Sequence, residues 1–313
     1  MTLNPEDYDY ELDDTLGSVV GVRALVPPDA FTADTLGTER LGNGVLIRKN
    51  GVVLTIGYLV TEAETVWLSF GNRVVPGHVL GFDQVTGFGL VQALARLDVS
   101  CLPLGDSDDV KVGEDVVVAG AGGREGAIAA RVVAKQEFAG YWEYLLDEAI
   151  FTAPGHPHWG GTALIGPGGD LLGIGSLQVQ HQVRESARPA NLNMIVPINL
   201  VKPILEDILT QGRAKRPPRP WLGLYASEIG NRIVITGLAS RGPAQEADLR
   251  PGDIVLSIKG NEVTTLSGLF RTIWSVGPAG ADIPMMIFRD GSTFELGVTS
   301  ADRNSFLKGP VLH

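Results

Sequence analysis

The stretch GNGVLIRKNGVVLTIGYLV, residues 42–60, decides how the first part of the chain folds. It contains two apolar runs of strand length, and the segment KNG at residues 49–51 separates them. Asn and Gly tolerate the positive φ angles of tight turns, so this stretch predicts a β-hairpin. Similar apolar runs broken by turn residues recur through the first ~200 residues. This repetition predicts a mostly β body built from one or two β-barrels.

The composition limits the class of protein. At 313 residues the chain has the length of two domains, and its 44% hydrophobic residues are enough to form a substantial core. No apolar run reaches the roughly 18 residues that are needed to span a membrane. The net charge of −11 argues against a nucleic-acid-binding surface, which needs clustered Lys and Arg.

The N-terminal segment MTLNPEDYDYELDD is acidic and lacks the basic start and the apolar core of a signal peptide. The single cysteine, Cys101, excludes a disulfide within the chain. Both features predict a cytoplasmic protein, or a periplasmic one if a signal peptide has been removed. Tyr8 and Tyr10 could bury their rings on a neighbouring subunit, or the segment could be a disordered acidic tail.

A helix and a linker are predicted after the β-rich part. In PINLVKPILEDILTQG, residues 197–212, apolar residues recur at helical spacing, and Gly212 suits the C-cap. RAKRPPRP, residues 213–220, is basic and rich in proline, which indicates a linker between domains or an ordered surface loop. The predicted domains are an acidic segment 1–14, a β domain with its helix 15–212, the linker 213–220, a second domain 221–302 and a tail 303–313.

The second domain resembles a PDZ domain. The stretch GPAQEADLRPGDIVLSIKGNEV, residues 242–263, matches the short helix, the Leu-x-Pro-Gly-Asp turn and the strand of that family. WLGLY, residues 221–225, lies where PDZ domains bind the terminal carboxylate of a peptide that adds to the sheet edge. The resemblance implies a groove between this loop and the helix LSGLFRTIWSV. Its candidate peptide-binding residues are Leu222, Gly223, Leu224, Phe270 and Ile273.

The order of motifs along residues ~15–301 resembles the HtrA/Do-like family of trypsin-like serine proteases, in which a double β-barrel precedes a PDZ domain. Besides residues 42–60, VLGFDQVTGFGLVQA at 79–93 and WGGTALIGPGGDLLGIGSL at 159–177 match family motifs. The resemblance implies a mostly β fold, a homotrimer, and C-terminal peptides or unfolded protein segments as partners. It implies neither a cofactor nor a metal, neither a nucleic-acid partner nor a membrane span.

The same resemblance places different residue types at the three catalytic positions. Tyr58 stands at the histidine position, Gly87 at the aspartate position, and Gly160 at the serine position. In an alternative register Trp159 takes the serine position. A serine protease needs a hydroxyl nucleophile, an imidazole and a carboxylate. The sequence therefore predicts no catalytic residue and a pseudoprotease, not an enzyme, that serves as a peptide-binding scaffold.

Two other functions are considered. The first is an active HtrA-type serine endopeptidase of protein quality control that uses residues outside the motifs. The second is a metal-dependent hydrolase built on His156 and His158, although two histidines without a further ligand are a weak metal signal.

Overall fold

The computed structural model describes residues 3–181 and 189–309. The first two residues of the predicted acidic segment and residues 310–313 of the predicted tail lie outside this range. The structure is mostly β, with two closed barrels followed by an antiparallel sheet with helices, which confirms the predicted fold class.

The first barrel closes six antiparallel strands in the order β1-β2-β3-β6-β5-β4. The hairpin predicted from residues 42–60 forms the β2–β3 pair, in which Val45 lies opposite Leu54. Every residue of β3 is buried, so this apolar run forms part of the barrel interior. The strands are β1 Val19–Leu25, β2 Glu39–Arg48, β3 Val52–Ile56, β4 Thr65–Phe70, β5 Arg73–Phe82 and β6 Phe88–Ala93.

The second barrel repeats this topology, with the order β10-β11-β12-β9-β8-β7. The pair β7–β10 brings Val118 opposite Leu164, and both side chains lie in the buried core of this barrel. The strands are β7 Asp115–Ala119, β8 Ala127–Gly140, β9 Tyr144–Ala153, β10 Ala163–Ile165, β11 Leu171–His181 and β12 Ala190–Pro197.

The helices of the barrel part are short. They are α1 Leu12–Gly17, α2 Ala33–Leu36, α3 Gly57–Val60 and α4 Leu205–Gln211. The helix predicted over residues 197–212 begins as two 3-10 turns, Ile198–Leu200 and Lys202–Ile204, and only its last part is α4. Pro203 lacks the N–H that a helix interior needs, which fits the late start. Gly212 ends α4 at φ 74°, as its predicted C-cap role requires.

The remaining elements form a PDZ-like sheet with the order β13-β14-β15-β17-β18, and β16 pairs with β15. Its core is built from apolar residues of the strands and of the longest helix, α6. The elements are β13 Leu224–Glu228, β14 Ile233–Leu238, α5 Pro243–Glu246, β15 Ile254–Ile258, β16 Asn261–Glu262, α6 Leu266–Val276, β17 Asp282–Arg289 and β18 Ser292–Thr299.

The chain divides into two compact units. The first contains residues 1–136, 148–215 and 308–313, and the second contains residues 137–147 and 216–307. Residues 137–147 contain the end of β8, the turn after it and the start of β9, and no pattern in the sequence predicted that they group with the PDZ-like sheet. The domain limits predicted from the sequence stay a prediction. Across residues 3–181 and 189–309, no helix is both long and apolar enough to cross a membrane.

Candidate functional site

Tyr58 and Gly160 come together in the first unit. The chain leaves β3 into α3, and the Tyr58 hydroxyl donates a hydrogen bond of 2.8 Å to the carbonyl oxygen of Ser176 in β11. A Cβ atom at Gly160 would lie 2.6 Å from the Tyr58 hydroxyl oxygen. The phenol therefore fills the space that a side chain at position 160 would need.

Gly87 lies beside the start of the same helix. Its carbonyl oxygen accepts a hydrogen bond of 2.6 Å from the Gly57 N–H. The nearby Asp83 carboxylate accepts from the N–H and the hydroxyl of Thr86, at 2.8 and 2.7 Å, and so holds the turn that leads to Gly87. The fold thus brings positions 58, 87 and 160 to one place in the first unit.

The chemistry at these positions follows from the side chains. Burial raises the pKa of the Tyr58 phenol above its ordinary value of 10.0. At neutral pH the phenol therefore stays protonated and donates a hydrogen bond to the Ser176 carbonyl oxygen. It cannot accept a proton as a general base. Gly87 and Gly160 offer no side-chain group at all.

The loop before Gly160 is held by a buried amide that the sequence did not single out. Asn43 donates from Nδ2 to the carbonyl oxygens of His158 and Gly160, at 2.9 and 3.0 Å, and accepts from the Ala121 N–H at 2.9 Å. Trp159 is exposed, with 36% of its surface accessible. Its indole therefore does not fill the interior of this region.

His156 is a satisfied loop histidine. Its Nδ1 accepts from the His158 N–H at 3.0 Å, which leaves Nε2 as the protonated nitrogen, 2.9 Å from the Gly126 carbonyl oxygen. Burial lowers the pKa of the imidazole and so favours this neutral form. Within the part of the chain that the structure describes, no three His, Cys, Asp or Glu side chains form a group that could hold a metal ion. The geometry gives no support to the metal-dependent hydrolase.

The second unit contains a carboxylate-binding loop. The N–H groups of Leu222, Gly223 and Leu224 all donate to the carboxylate of Glu143, at 3.1, 2.7 and 3.0 Å respectively. Three successive backbone N–H groups directed at one anion form a concave anion-binding site of the kind called a nest. In this structure the Glu143 carboxylate occupies that site.

The loop needs glycine at its centre. Gly223 has φ +77°, in the left-handed region that residues with a Cβ rarely adopt. A Cβ atom there would also lie 3.0 Å from the Trp221 ring and 3.2 Å from the Ala239 Cβ. Both observations explain why glycine stands at this position.

The electrostatics of the loop centre on Glu143. Burial raises the pKa of this carboxyl to about 7, against the opposing effect of the three N–H groups and of the positive charge of Arg303. Neither Glu143 nor Arg303 was among the candidate residues predicted from the sequence. The only local signal for Glu143 is an acidic residue inside the aromatic stretch YWEYL, residues 141–145.

The four apolar candidates of the predicted groove belong to the same buried core. Leu222 and Leu224 of the loop and Phe270 and Ile273 of α6 are fully buried members of one core cluster. Leu145, which follows Glu143 by two residues, belongs to the same cluster and is 7% exposed. Four of the five candidate peptide-binding residues are therefore core residues of the second unit, which also takes in Leu145 of residues 137–147, and Gly223 lies between two of them in the loop.

Family models match both units. A model described as "Trypsin-like peptidase domain" matches residues 42–174, and a model described as "PDZ domain" matches residues 220–299. Among solved structures, the chain is similar to one titled "HtrA-type protease AlgW with decapeptide", with a TM-score of 0.53, 18% identity, and coverage of 95% of this chain and 97% of the other. This likeness shows the shared fold.

Curated relatives extend the match over most of the chain. "Serine protease Do-like HtrA" of Bacillus subtilis is 26% identical over 280 residues, which cover 80% of this chain and 61% of the relative. "Probable periplasmic serine endoprotease DegP-like" of Halomonas elongata is 27% identical, with coverage of 94% and 63%. "Serine endoprotease DegS" of Haemophilus influenzae is 24% identical, with coverage of 85% and 78%. The chain thus spans about three fifths of the length of the first two relatives.

These names correct one prediction. The sequence predicted that the chain is not an enzyme, because of the residues at positions 58, 87 and 160. The relatives are named serine proteases and endoproteases, which contradicts that prediction. The cytoplasmic location stays a prediction, and one relative is named periplasmic. With a trypsin-like domain, a PDZ domain and relatives of this kind in one order, the chain belongs to the HtrA/Do-like family of serine proteases.

Proposed function

We propose that the protein binds polypeptides by their C-terminal ends, and that the loop of residues 222–224 receives the terminal carboxylate. The convergence of three N–H groups on the Glu143 carboxylate, over 2.7–3.1 Å, is the observation that carries this proposal. The loop is formed by backbone groups, so any carboxylate of suitable position can use it. A terminal carboxylate is the group that PDZ domains bind.

The energetics favour an ionised ligand. Hydrogen bonds in which one partner is charged contribute about 1.5–3 kcal/mol each, more than bonds between neutral groups. The nearby positive charge of Arg303 adds attraction for an anion. An amidated C-terminus carries no charge and brings N–H donors to a site that already consists of donors. We therefore expect amidation to weaken binding strongly.

The sheet edge and the core supply the rest of the peptide site. β13 is the edge strand of its sheet, so an extended peptide can add beside it. Leu222, Leu224, Phe270 and Ile273 form the apolar surface next to the loop, which suits an apolar side chain at the end of the peptide. C-terminal peptides and the ends of unfolded segments are the partners that fit this chemistry.

Endopeptidase action on polypeptides is the second candidate function, and the names of the relatives favour it. By family resemblance, Tyr58, Gly87 and Gly160 occupy the positions of the histidine, the aspartate and the serine. Peptide hydrolysis by this chain therefore requires a nucleophile and a base from other side chains.

Assembly as a homotrimer, which the family resemblance implied, also stays a proposal. The Tyr10 ring packs against Gly169 of its own barrel unit, since a Cβ at Gly169 would lie 2.6 Å from the Tyr10 Cγ. The Tyr8 and Tyr10 rings lie 5.4 Å apart. Light scattering at micromolar concentration distinguishes a trimer from a monomer.

One preparation tests both candidate functions. A pool of fluorescent decapeptides ending in Leu, Ile, Val or Phe is titrated in free-acid and amidated forms, and casein cleavage is followed with and without a serine-directed inhibitor. We expect the free acids to bind at least tenfold more tightly than the amides, and equal affinity would contradict the carboxylate site. Casein cleavage that persists through repurification and is abolished by the inhibitor supports the second candidate. Cleavage that continues in the presence of the inhibitor contradicts it.

A further inference from the structure

We propose that residues 137–147, the β8–β9 hairpin tip, are an internal ligand of the carboxylate-binding loop, and that C-terminal peptides bind by displacing Glu143. This inference rests on the proposed function, because it assigns an occupant to the same site. All residues involved lie within the second unit, residues 137–147 and 216–307.

The first argument is that Glu143 reproduces the contacts of a terminal carboxylate. All three N–H groups of the loop are used by this one side chain. A second carboxylate cannot share these donors without displacing the first, because two anions at one site repel each other. Occupation by Glu143 and by a peptide terminus are therefore mutually exclusive.

The hairpin tip also uses the edge of the sheet. The Ala226 N–H of β13 donates to the Tyr141 carbonyl oxygen at 3.0 Å. The rings of Tyr141 and Tyr225 meet edge to face, with centroids 5.9 Å apart. A peptide that adds as a strand needs the same backbone donor. The tip thus covers the edge as well as the loop.

The apolar surface next to the loop is covered by the same segment. Leu145 is buried in the cluster that contains Leu222 and Phe270. A carboxylate in the loop and an apolar side chain in the neighbouring cluster are the two features by which a PDZ domain would bind a peptide end. In the hairpin tip, two residues of one chain supply both.

The backbone of Glu143 has an unfavourable conformation in the turn between β8 and β9. Its φ is 60°, a conformation that costs a non-glycine residue on the order of 1–3 kcal/mol. The hydrogen bonds of the loop offset this cost when the tip is docked. Once the tip leaves the loop, Glu143 can relax, which favours release in the presence of a competing carboxylate.

A set of ion pairs holds the base of the tip to α6. Arg271 pairs with both Glu137 and Asp147, one on each side of the turn. These side chains are partly exposed, so each pair contributes only about 0.2–1 kcal/mol. The tip is therefore fastened by contacts of moderate strength, and a ligand can compete with it.

The effect of the attached hairpin tip on the affinity for a free peptide follows from two general relations. An internal ligand on a short connection acts at an effective concentration on the order of millimolar. The apparent dissociation constant for a free peptide then equals the intrinsic constant divided by the fraction of open loops. A substitution that weakens binding of the internal ligand should therefore raise the affinity for free peptide. If Glu143 served only to stabilise the loop, the same substitution should lower that affinity.

The test compares the full-length wild type with Glu143→Gln, and with Glu125→Gln as the matched control. Glu125 is an exposed residue of the first unit, so its replacement removes one charge without touching the loop. The probe is the free-acid decapeptide pool, and amidated peptides serve as its negative control. Glu143→Asp, whose shorter side chain cannot reach the loop, is the second variant in case the amide destabilises the fold.

Oε2 of Glu143 accepts from the Leu222 N–H at 3.1 Å, and a carboxyl oxygen can do so whether or not it is protonated, whereas the amide nitrogen of Gln can only donate. We therefore expect Glu143→Gln to bind the peptide pool at least tenfold more tightly than the wild type and Glu125→Gln to bind like the wild type. Affinities of wild type and Glu143→Gln within twofold of each other overturn the internal ligand and leave the proposed function standing. If no variant binds the pool, the proposed function fails, and hydrogen exchange decides the inference. Faster exchange of the amides of residues 222–224 in Glu143→Gln then supports docking of Glu143, and unchanged exchange overturns it.

Discussion

Two regions of this molecule that the family resemblance associates with function differ in the chemical groups that form them. A serine protease site is made of side chains, and at positions 58, 87 and 160, which the family resemblance assigns to that site, the chain has a phenol and two glycines. At residues 222–224 the function resides in backbone N–H groups, and all three still converge on a carboxylate. A backbone site depends on residue type only through the conformation of the chain, whereas a side-chain site depends on residue type directly.

The polar atoms of the two regions are used differently as well. The Tyr58 hydroxyl is committed to a structural hydrogen bond with Ser176, inside a barrel unit whose neighbouring atoms leave no room for a side chain at Gly160. The donors of the loop are committed to Glu143, which is held by moderate contacts and lies in a strained conformation. The first region is therefore fixed by packing, and the second is open to exchange of ligands.

The largest effect should come from altering the conformation of the loop. Gly223→Ala, in the Glu143→Gln background, should weaken binding of free-acid peptides about 100-fold, because φ +77° and the Trp221 ring both disfavour a Cβ. Fluorescence polarisation measures the loss. Gly291→Ala is the matched control, since Gly291 has φ +83° but lies in open space at the β17–β18 turn. Equal losses in the two variants would show that backbone strain alone, and not the loop, determines binding.

The pH dependence of peptide affinity, an effect of intermediate size, should distinguish a loop that Glu143 occupies from a loop without an internal ligand. The pKa of the Glu143 carboxyl is about 7 when the tip is docked, and we expect the ordinary value of 4.5 when the tip is released. Docking is therefore accompanied by uptake of a proton between pH 4.5 and 7. Rising pH therefore favours release of the tip. Peptide affinity of the wild type should increase by up to about tenfold per pH unit from pH 5 to 7 and then level off. The charged and titratable groups that interact with Glu143 include Arg303 and Tyr225.

The control for this pH dependence is Glu143→Gln, which cannot titrate at that position. In this variant any pH dependence of binding comes from the peptide carboxylate alone. The ratio of wild-type to Glu143→Gln affinity therefore isolates Glu143, and this ratio should rise from pH 5 to 7. A wild-type affinity that is flat from pH 5 to 8 would contradict proton uptake on docking.

A smaller effect is expected from the ion pairs of the tip. Arg271→Ala removes the contacts with Glu137 and Asp147 and should raise peptide affinity about two- to fivefold, in line with the strength of exposed ion pairs. Arg250→Ala is the matched control, because the guanidinium of Arg250 pairs with Asp248, which lies outside the hairpin tip. A decrease in affinity for Arg271→Ala would mean that this arginine binds the peptide itself.

The smallest effect should appear in the first region. Tyr58→Phe deletes one hydroxyl that is bonded to the Ser176 carbonyl oxygen, and should lower the free energy of unfolding by about 0.5–1.5 kcal/mol. Denaturant unfolding measures the change. Peptide affinity should be unaltered, and any casein cleavage by the wild type should persist in the variant. Loss of cleavage in Tyr58→Phe would assign the phenol a role in the reaction.

Much of the fold could be predicted from local patterns. The KNG turn and its flanking apolar runs predicted the β2–β3 hairpin, and the helix predicted at residues 266–276 coincides with α6. The helix at residues 197–212 was predicted too long, because apolar spacing alone does not register the missing N–H of Pro203.

The candidate site was predictable only in part. The loop of residues 221–225 resembles a family motif, and a motif is local in sequence. Glu143 lies 79–81 residues before its three partners, so no local pattern could connect it to them. Arg303, whose positive charge acts on Glu143, lies in the predicted tail, for which no functional role was predicted. What the sequence missed is therefore the occupant of the site and not the site.

The most direct measurement is the amide proton resonance of Gly223 in deuterated full-length protein, followed from pH 5 to 9. In the wild type this resonance should titrate with a midpoint near pH 7, because the Gly223 N–H donates to the Glu143 carboxylate at 2.7 Å. In Glu143→Gln it should be displaced upfield and independent of pH. The same shift and the same pH profile in both proteins would contradict the claim that Glu143 occupies the loop.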